Sequence, residues 1–252
     1  MSRWSVGVGG PVVSPRMVAG FAFIATAVST LFAQATLVRW SQSRQPHQRA
    51  WTIALALFAM GSAMLAVGAT TGWDGPKYRA FYALGAILNV PWLGLGSVYL
   101  LAGQRWGQVV ERLLWPLSGL AVGVMCTAPL NVAAIDPTAI PNGHEVFGVF
   151  PRALAGAFSS VGALMVLVGA LVSIFRFVRR RGTDERAPRM LVANACIAIG
   201  TLILGSTGTL KGVAGGKDQA FALGVAAGIS VIYAGFAVAS RNARRTTLPA
   251  NV

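Results

Sequence analysis

Seven apolar stretches, parted by short segments carrying most of the charge, account for nearly all of this chain. They run from about Met17 to Val38, Trp51 to Thr70, Arg79 to Ala102, Leu113 to Ala134, Ala153 to Phe175, Met190 to Leu210 and Ala220 to Ala239. Each has about twenty residues, and a helix of that length crosses roughly 30 Å of hydrocarbon. The pattern predicts an all-α fold, a polytopic membrane helix bundle of seven transmembrane helices. One domain, 17–240, would lie between a flexible N-terminal tail, 1–16, and a basic cytoplasmic tail, 241–252. Ala33, Gln34 and Ala35, near the end of the first stretch, imitate the cleavage site of a secretory signal peptide. Cleavage there would put Arg39, Arg44 and Arg49 outside, against the bias that keeps basic residues in the cytoplasm, so the stretch is read as an uncleaved span.

The third stretch differs from the others. YALGAILNVPWLGLGSVYLL, Tyr82 to Leu101, has no charge but carries Asn89, Pro91 and Trp92 near its middle. Proline lacks an N–H and crowds the carbonyl four residues back, which would leave the Ile87 carbonyl free at mid-membrane. A free acceptor cannot face lipid, so this side should meet other helices or a wet cavity. Asn89 and Trp92, three apart, share that side. They form, with Pro91 and Ile87, the candidate ligand site, and Gln34 and Asn194 are the candidates for its opposite wall. The competing reading is helix packing, because asparagine joins membrane helices and proline is common in them.

Charge sets the orientation. Of 21 basic residues, fourteen fall in the segments after stretches one, three, five and seven, and seven fall on the other side. Four carboxylates, Asp74, Asp136, Glu145 and Asp218, lie on that second side, so the N-terminus is expected outside and the C-terminus inside. Trp40, Trp51, Trp73, Trp106 and Trp115 sit near the expected span ends, where indoles favour the headgroups, and only Trp92 is central. The composition, 55% hydrophobic and 11% charged, is far from that of a soluble domain. The net charge of +14 is dispersed between spans, which argues against nucleic acid as a partner. Arg176, Arg179, Arg180 and Arg181 form a cluster beside a span, a candidate contact for anionic lipids at the cytoplasmic face or for a partner protein. Cys126 and Cys196 lie inside expected spans and imply no disulfide. The abundance of Arg over Lys, with Ala, Val and Gly, fits a GC-rich bacterial source.

A shift of 139 positions lays Trp51–Ala102 on Met190–Arg241. It matches Ala54, Gly61 and Leu65 with Ala193, Gly200 and Leu204, and Gly85 and Gly96 with Gly224 and Gly235. Spans one to three would then repeat as five to seven around a linking fourth, a 3+1+3 parallel repeat about an axis along the membrane normal. GAILNVPWLGLGSVYLL, with TGWDGPKYRAFY before it, resembles a group of uncharacterised integral membrane proteins of actinobacteria. That resemblance implies an actinobacterial source and brings no activity with it, and the expected location is the bacterial plasma membrane. The three-one-three order is similar to that of SWEET sugar transporters, whose paired proline-glutamine signature is missing here.

The functional classes narrow by what the spans lack. No ionisable residue lies centrally in any expected span, which disfavours a proton relay. The last span has no lysine for a retinal Schiff base. His144 and Glu145 fit no zinc motif, so no metal is expected, and no phosphate loop, dinucleotide loop or nucleophile elbow implies a cofactor or an enzyme. Pro116 is expected near the start of the fourth span, and Pro129 with Asn131 would break its outer part. Gly119 with Gly123 and Gly224 with Gly228 are read as close-packing pairs. The leading expectation is a transporter or facilitator of a small neutral solute, bound between two three-helix halves. The alternative is a sensor or assembly subunit docking a partner through its basic cytoplasmic face. Oligomeric state is open.

Overall fold

The computed structural model describes residues 15–179, 187–214 and 217–240. Arg180, Arg181 and the segments 1–14 and 241–252 lie outside the described residues. Seven long helices are present: α1 (Pro15–Ser43), α2 (Pro46–Thr71), α3 (Gly75–Leu101), α4 (Gly103–Thr127), α5 (Val149–Arg179), α6 (Ala187–Ala214) and α7 (Asp218–Ser240). Each contains a stretch long and apolar enough to cross a membrane. The described residues contain no strand, only an isolated bridge between Leu130 and Phe147.

The helices close on themselves. α1 packs on α2, α2 on α3, α3 on α5, α5 on α6, α6 on α7, and α7 returns to α1, while α4 stands outside this ring of six against α3. Small residues set the spacing where backbones meet. A Cβ at Gly61 of α2 would lie 3.0 Å from the Gly85 nitrogen on α3, and one at Gly200 of α6 would lie 2.7 Å from the Gly228 carbonyl on α7. Removing side chains lets helices approach until backbone dispersion contributes to association, the usual solution in lipid. The α1–α7 seam is larger in grain, with Phe32 against Tyr233 and Phe236 at 5.3 and 4.7 Å between ring centres.

The fourth helix departs from expectation. It starts at Gly103 and stops at Thr127, earlier at both ends than the apolar run predicts. Its first turns carry Arg105, Glu111 and Arg112, charges that hide a helix start when only apolar residues are counted. Gly103, at φ 86°, makes the tight reversal out of α3. Pro129 and Asn131 therefore fall in the following loop rather than breaking the helix, and Pro116 sits in the helix interior rather than near its start. Trp115 is likewise mid-helix, edge-on to Trp92 at 4.8 Å between ring centres. Nothing lies within 4 Å of a Cβ at Gly119 or Gly123, so that pair faces outward, unlike Gly224 and Gly228, which nest against Thr207 and Leu204.

The end of the bundle where α2 passes into α3 is sealed. Asp74 caps α3 by accepting the Lys77 N–H at 2.9 Å, and that bond holds its carboxyl below the ordinary value. Arg79 donates to the carbonyls of Met125 and Ala128, satisfying the last turn of α4 with a cation where the helix dipole favours one. The loop from α4 to α5 folds back over this end. Trp73 N–H donates to the Pro137 carbonyl at 3.0 Å, and Ile140 N–H to Asp218 at 2.7 Å. Phe147 stacks on Tyr78 at 5.4 Å and leans on Tyr82 at 4.8 Å, with Trp73 and Phe81 beside them. Trp73 is thus a core residue, 4% exposed, rather than a headgroup anchor.

Candidate functional site

Mid-way along α3 the helix changes pitch. Tyr82–Leu88 is a π-helix, which passes into α-helix at Asn89, two residues ahead of Pro91. A wide turn there moves the hydrogen-bond register from four residues to five and gives the proline ring room. It also moves the problem of the spare carbonyl. The acceptor met from outside the helix is that of Ala86, to which Ser159 Oγ of α5 donates. The residue one position further on, Ile87, is fully buried.

Three faces of this region meet three different helices. Towards α5, Gly162 seats directly on Pro91: a Cβ there would lie 2.6 Å from the Val90 carbonyl carbon and 2.7 Å from the proline nitrogen. Towards α2, Gly85 meets Gly61, and Gly96 receives the Trp51 indole. Towards α4, Trp92 Nε1 donates to Ser118 Oγ at 3.2 Å. Trp92 therefore belongs to the α2–α3–α4 contact, packed with Ala50, Ala54 and Leu95, and is not on the seam between the two sets of three helices.

Asn89 is the residue left without an account. It is 5% exposed, and its Oδ1 is buried with no hydrogen-bond partner. An orphaned amide oxygen costs about 1–3 kcal/mol even in a soluble interior. Gln34 and Asn194 do not relieve it. Gln34 is exposed on the outer face of α1, and Asn194 donates to the Met190 carbonyl of its own helix at 2.8 Å. Of the six candidate ligand residues, four lie within Ile87–Trp92 of α3, and the two from other helices stand apart from them. Arg176 and Arg179 are exposed at the arginine-rich end, with Arg179 over the Phe175 ring at 4.2 Å.

The sequence reading missed a second polar group. At the arginine-rich end, Arg49 of α2 pairs with Glu111 of α4 at 2.5 Å, and Tyr99 of α3 donates to the other carboxylate oxygen. Glu111 is 12% exposed. The only hint in the chain was a lone carboxylate between Arg105 and Arg112, and its partners are far away in sequence. Lys211 was missed in the same way: it pairs with Asp218 at 2.5 Å, tying the end of α6 to the start of α7. No known family model matches this chain, and no curated protein matches it in sequence.

Proposed function

We propose that this membrane protein carries a small neutral solute across the bilayer, and that the solute is recognised beside Asn89. The observation that carries this reading is the buried amide oxygen of Asn89, unpartnered where the wide turn of α3 ends. Membrane interiors do not tolerate such groups without a partner, and π turns recur at functional sites. A hydroxyl or amide of a solute would supply the missing donor. Ile87 and Pro91 would flank it with apolar surface, and the absence of a central charge suits an uncharged ligand.

The order of packing supports two halves. Helices α1–α2–α3 and α5–α6–α7 follow one another round the ring, joined by the α3–α5 and α7–α1 seams, with α4 outside. A two-fold axis along the membrane normal would exchange those two seams. The arginine-rich end would be cytoplasmic in a bacterial plasma membrane, by the charge rule. Passage would then require the aromatic cover around Phe147 to part at the other end.

The test is uptake of neutral solutes such as polyols, sugars and amides into proteoliposomes. The expected outcome is flux of one class, lost in Asn89→Leu while the protein remains folded. Absence of flux for every class, or flux unchanged in Asn89→Leu, overturns the reading.

A further inference from the structure

The arginine-rich end holds a cavity of about 250 Å³, lined by Trp40, Arg44, Arg49, Gln104, Gln108 and the Tyr99–Glu111 pair. It lies at the junction of four helices: the end of α1, the start of α2, the end of α3 and the first turns of α4. Its volume is below the roughly 300 Å³ at which ordinary small-molecule sites begin, the size of a head group rather than a whole ligand. Its charges are not balanced. Glu111 is committed to Arg49 and Tyr99, so Arg44 is left as the uncompensated cation.

Arg44 is placed at a cost. Its φ of 53° makes it the sole non-glycine residue at positive φ among the described residues. Such a conformation costs on the order of 1 kcal/mol or more and is normally given to glycine or asparagine. Its N–H closes α1 by donating to the Trp40 carbonyl at 2.8 Å, and its guanidinium lies over the Trp40 ring at 5.5 Å. Arg49 is held from one side by Glu111 yet is 43% exposed. Two guanidinium groups, one oriented by a carboxylate and one by an indole, together with two exposed glutamine amides, form a donor set suited to phosphate oxygens. Leu37 lies one turn before Trp40 on the same side of α1 and is 45% exposed, and Trp106 and Val109 are exposed on α4. Acyl chains have apolar surface to lie on as they leave the cavity.

We propose that this cavity binds the phosphate group of an anionic phospholipid, with Arg44 as the deciding contact. The same donors would accept a soluble phosphate ester, and the experiment separates the two sources. Purified protein in neutral detergent is titrated with phosphatidylglycerol, with phosphatidylcholine and with glycerol phosphate, and thermal stabilisation is read. Arg44→Gly is the informative variant, because glycine accepts the same backbone and the fold is spared. Phosphatidylglycerol is expected to stabilise the wild type more than phosphatidylcholine does, with apparent affinity about fivefold weaker in Arg44→Gly and unchanged in Arg152→Gln, an exposed arginine at the other end of the bundle. Equal stabilisation by glycerol phosphate, lost in Arg44→Gly, supports the phosphate site and assigns it to a soluble ester. Equal response to both lipids with none to glycerol phosphate, or an undiminished response in Arg44→Gly, overturns the proposal.

Discussion

Two side chains on facing helices deal with the same wide turn in opposite ways, and mutating them should move stability in opposite directions. Ser159 supplies the donor that the Ala86 carbonyl needs. Ser159→Ala is therefore expected to destabilise the protein by about 1–2 kcal/mol, with Ser159→Thr closer to wild type, as read from unfolding in mixed micelles. Asn89 presents an acceptor that nothing meets. Asn89→Leu, similar in volume, should raise stability by about 1 kcal/mol in the same assay, because the orphaned group is removed. A fall in stability would mean that Asn89 is bonded in the folded protein, and the solute site would lose its basis. At the sealed end, Asp218 accepts from both Lys211 and the Ile140 amide. Asp218→Asn should cost about 2 kcal/mol, since those donors are charged or partly buried.

Among the elements, α3 is packed on three sides while α4 leaves much of its surface, Gly119 and Gly123 included, facing outward, and substitutions should reflect that difference. Gly162→Ala would push a methyl group into the backbone of Val90 and Pro91. Backbone cannot rotate away as a side chain can, so a loss of about 1–3 kcal/mol is expected from thermal unfolding. Gly119→Ala and Gly123→Ala meet nothing, and should be neutral or stabilising by up to about 1 kcal/mol through helix propensity. The contrast also says what could be read in advance. Seven spans and the interior placement of Asn89 and Trp92 follow from apolar run length and from the polarity of one short segment. The bounds of α4 did not follow, because Glu111 finds its partners on α2 and α3 only after folding. Nor did the positions of Gln34 and Asn194, since a polar residue in a span is compatible with either face, or with a bond to its own helix.

For the molecule as a whole, acid should act at the end that Asp74 caps. Asp74 has its carboxyl held below the ordinary aspartate value, first by the Lys77 backbone N–H and then by the Lys77 side chain. A lowered carboxylate contributes stability that is present above the unfolded value and lost as pH falls through the folded one. Acidification through that range should therefore loosen the cap of α3, seen as faster amide exchange at Lys77 and Tyr78. The closed ring has a further consequence for biosynthesis. Its final seam joins the first helix to the seventh, burying Ala25 and Phe32 against Ile229 and Ile232. During translation α1 must wait in the bilayer, with that surface unmatched, until α7 is inserted. A nascent protein halted after α6 would thus display Phe32 to lipids and to quality-control proteases, and cross-linking from that position would time the moment of closure.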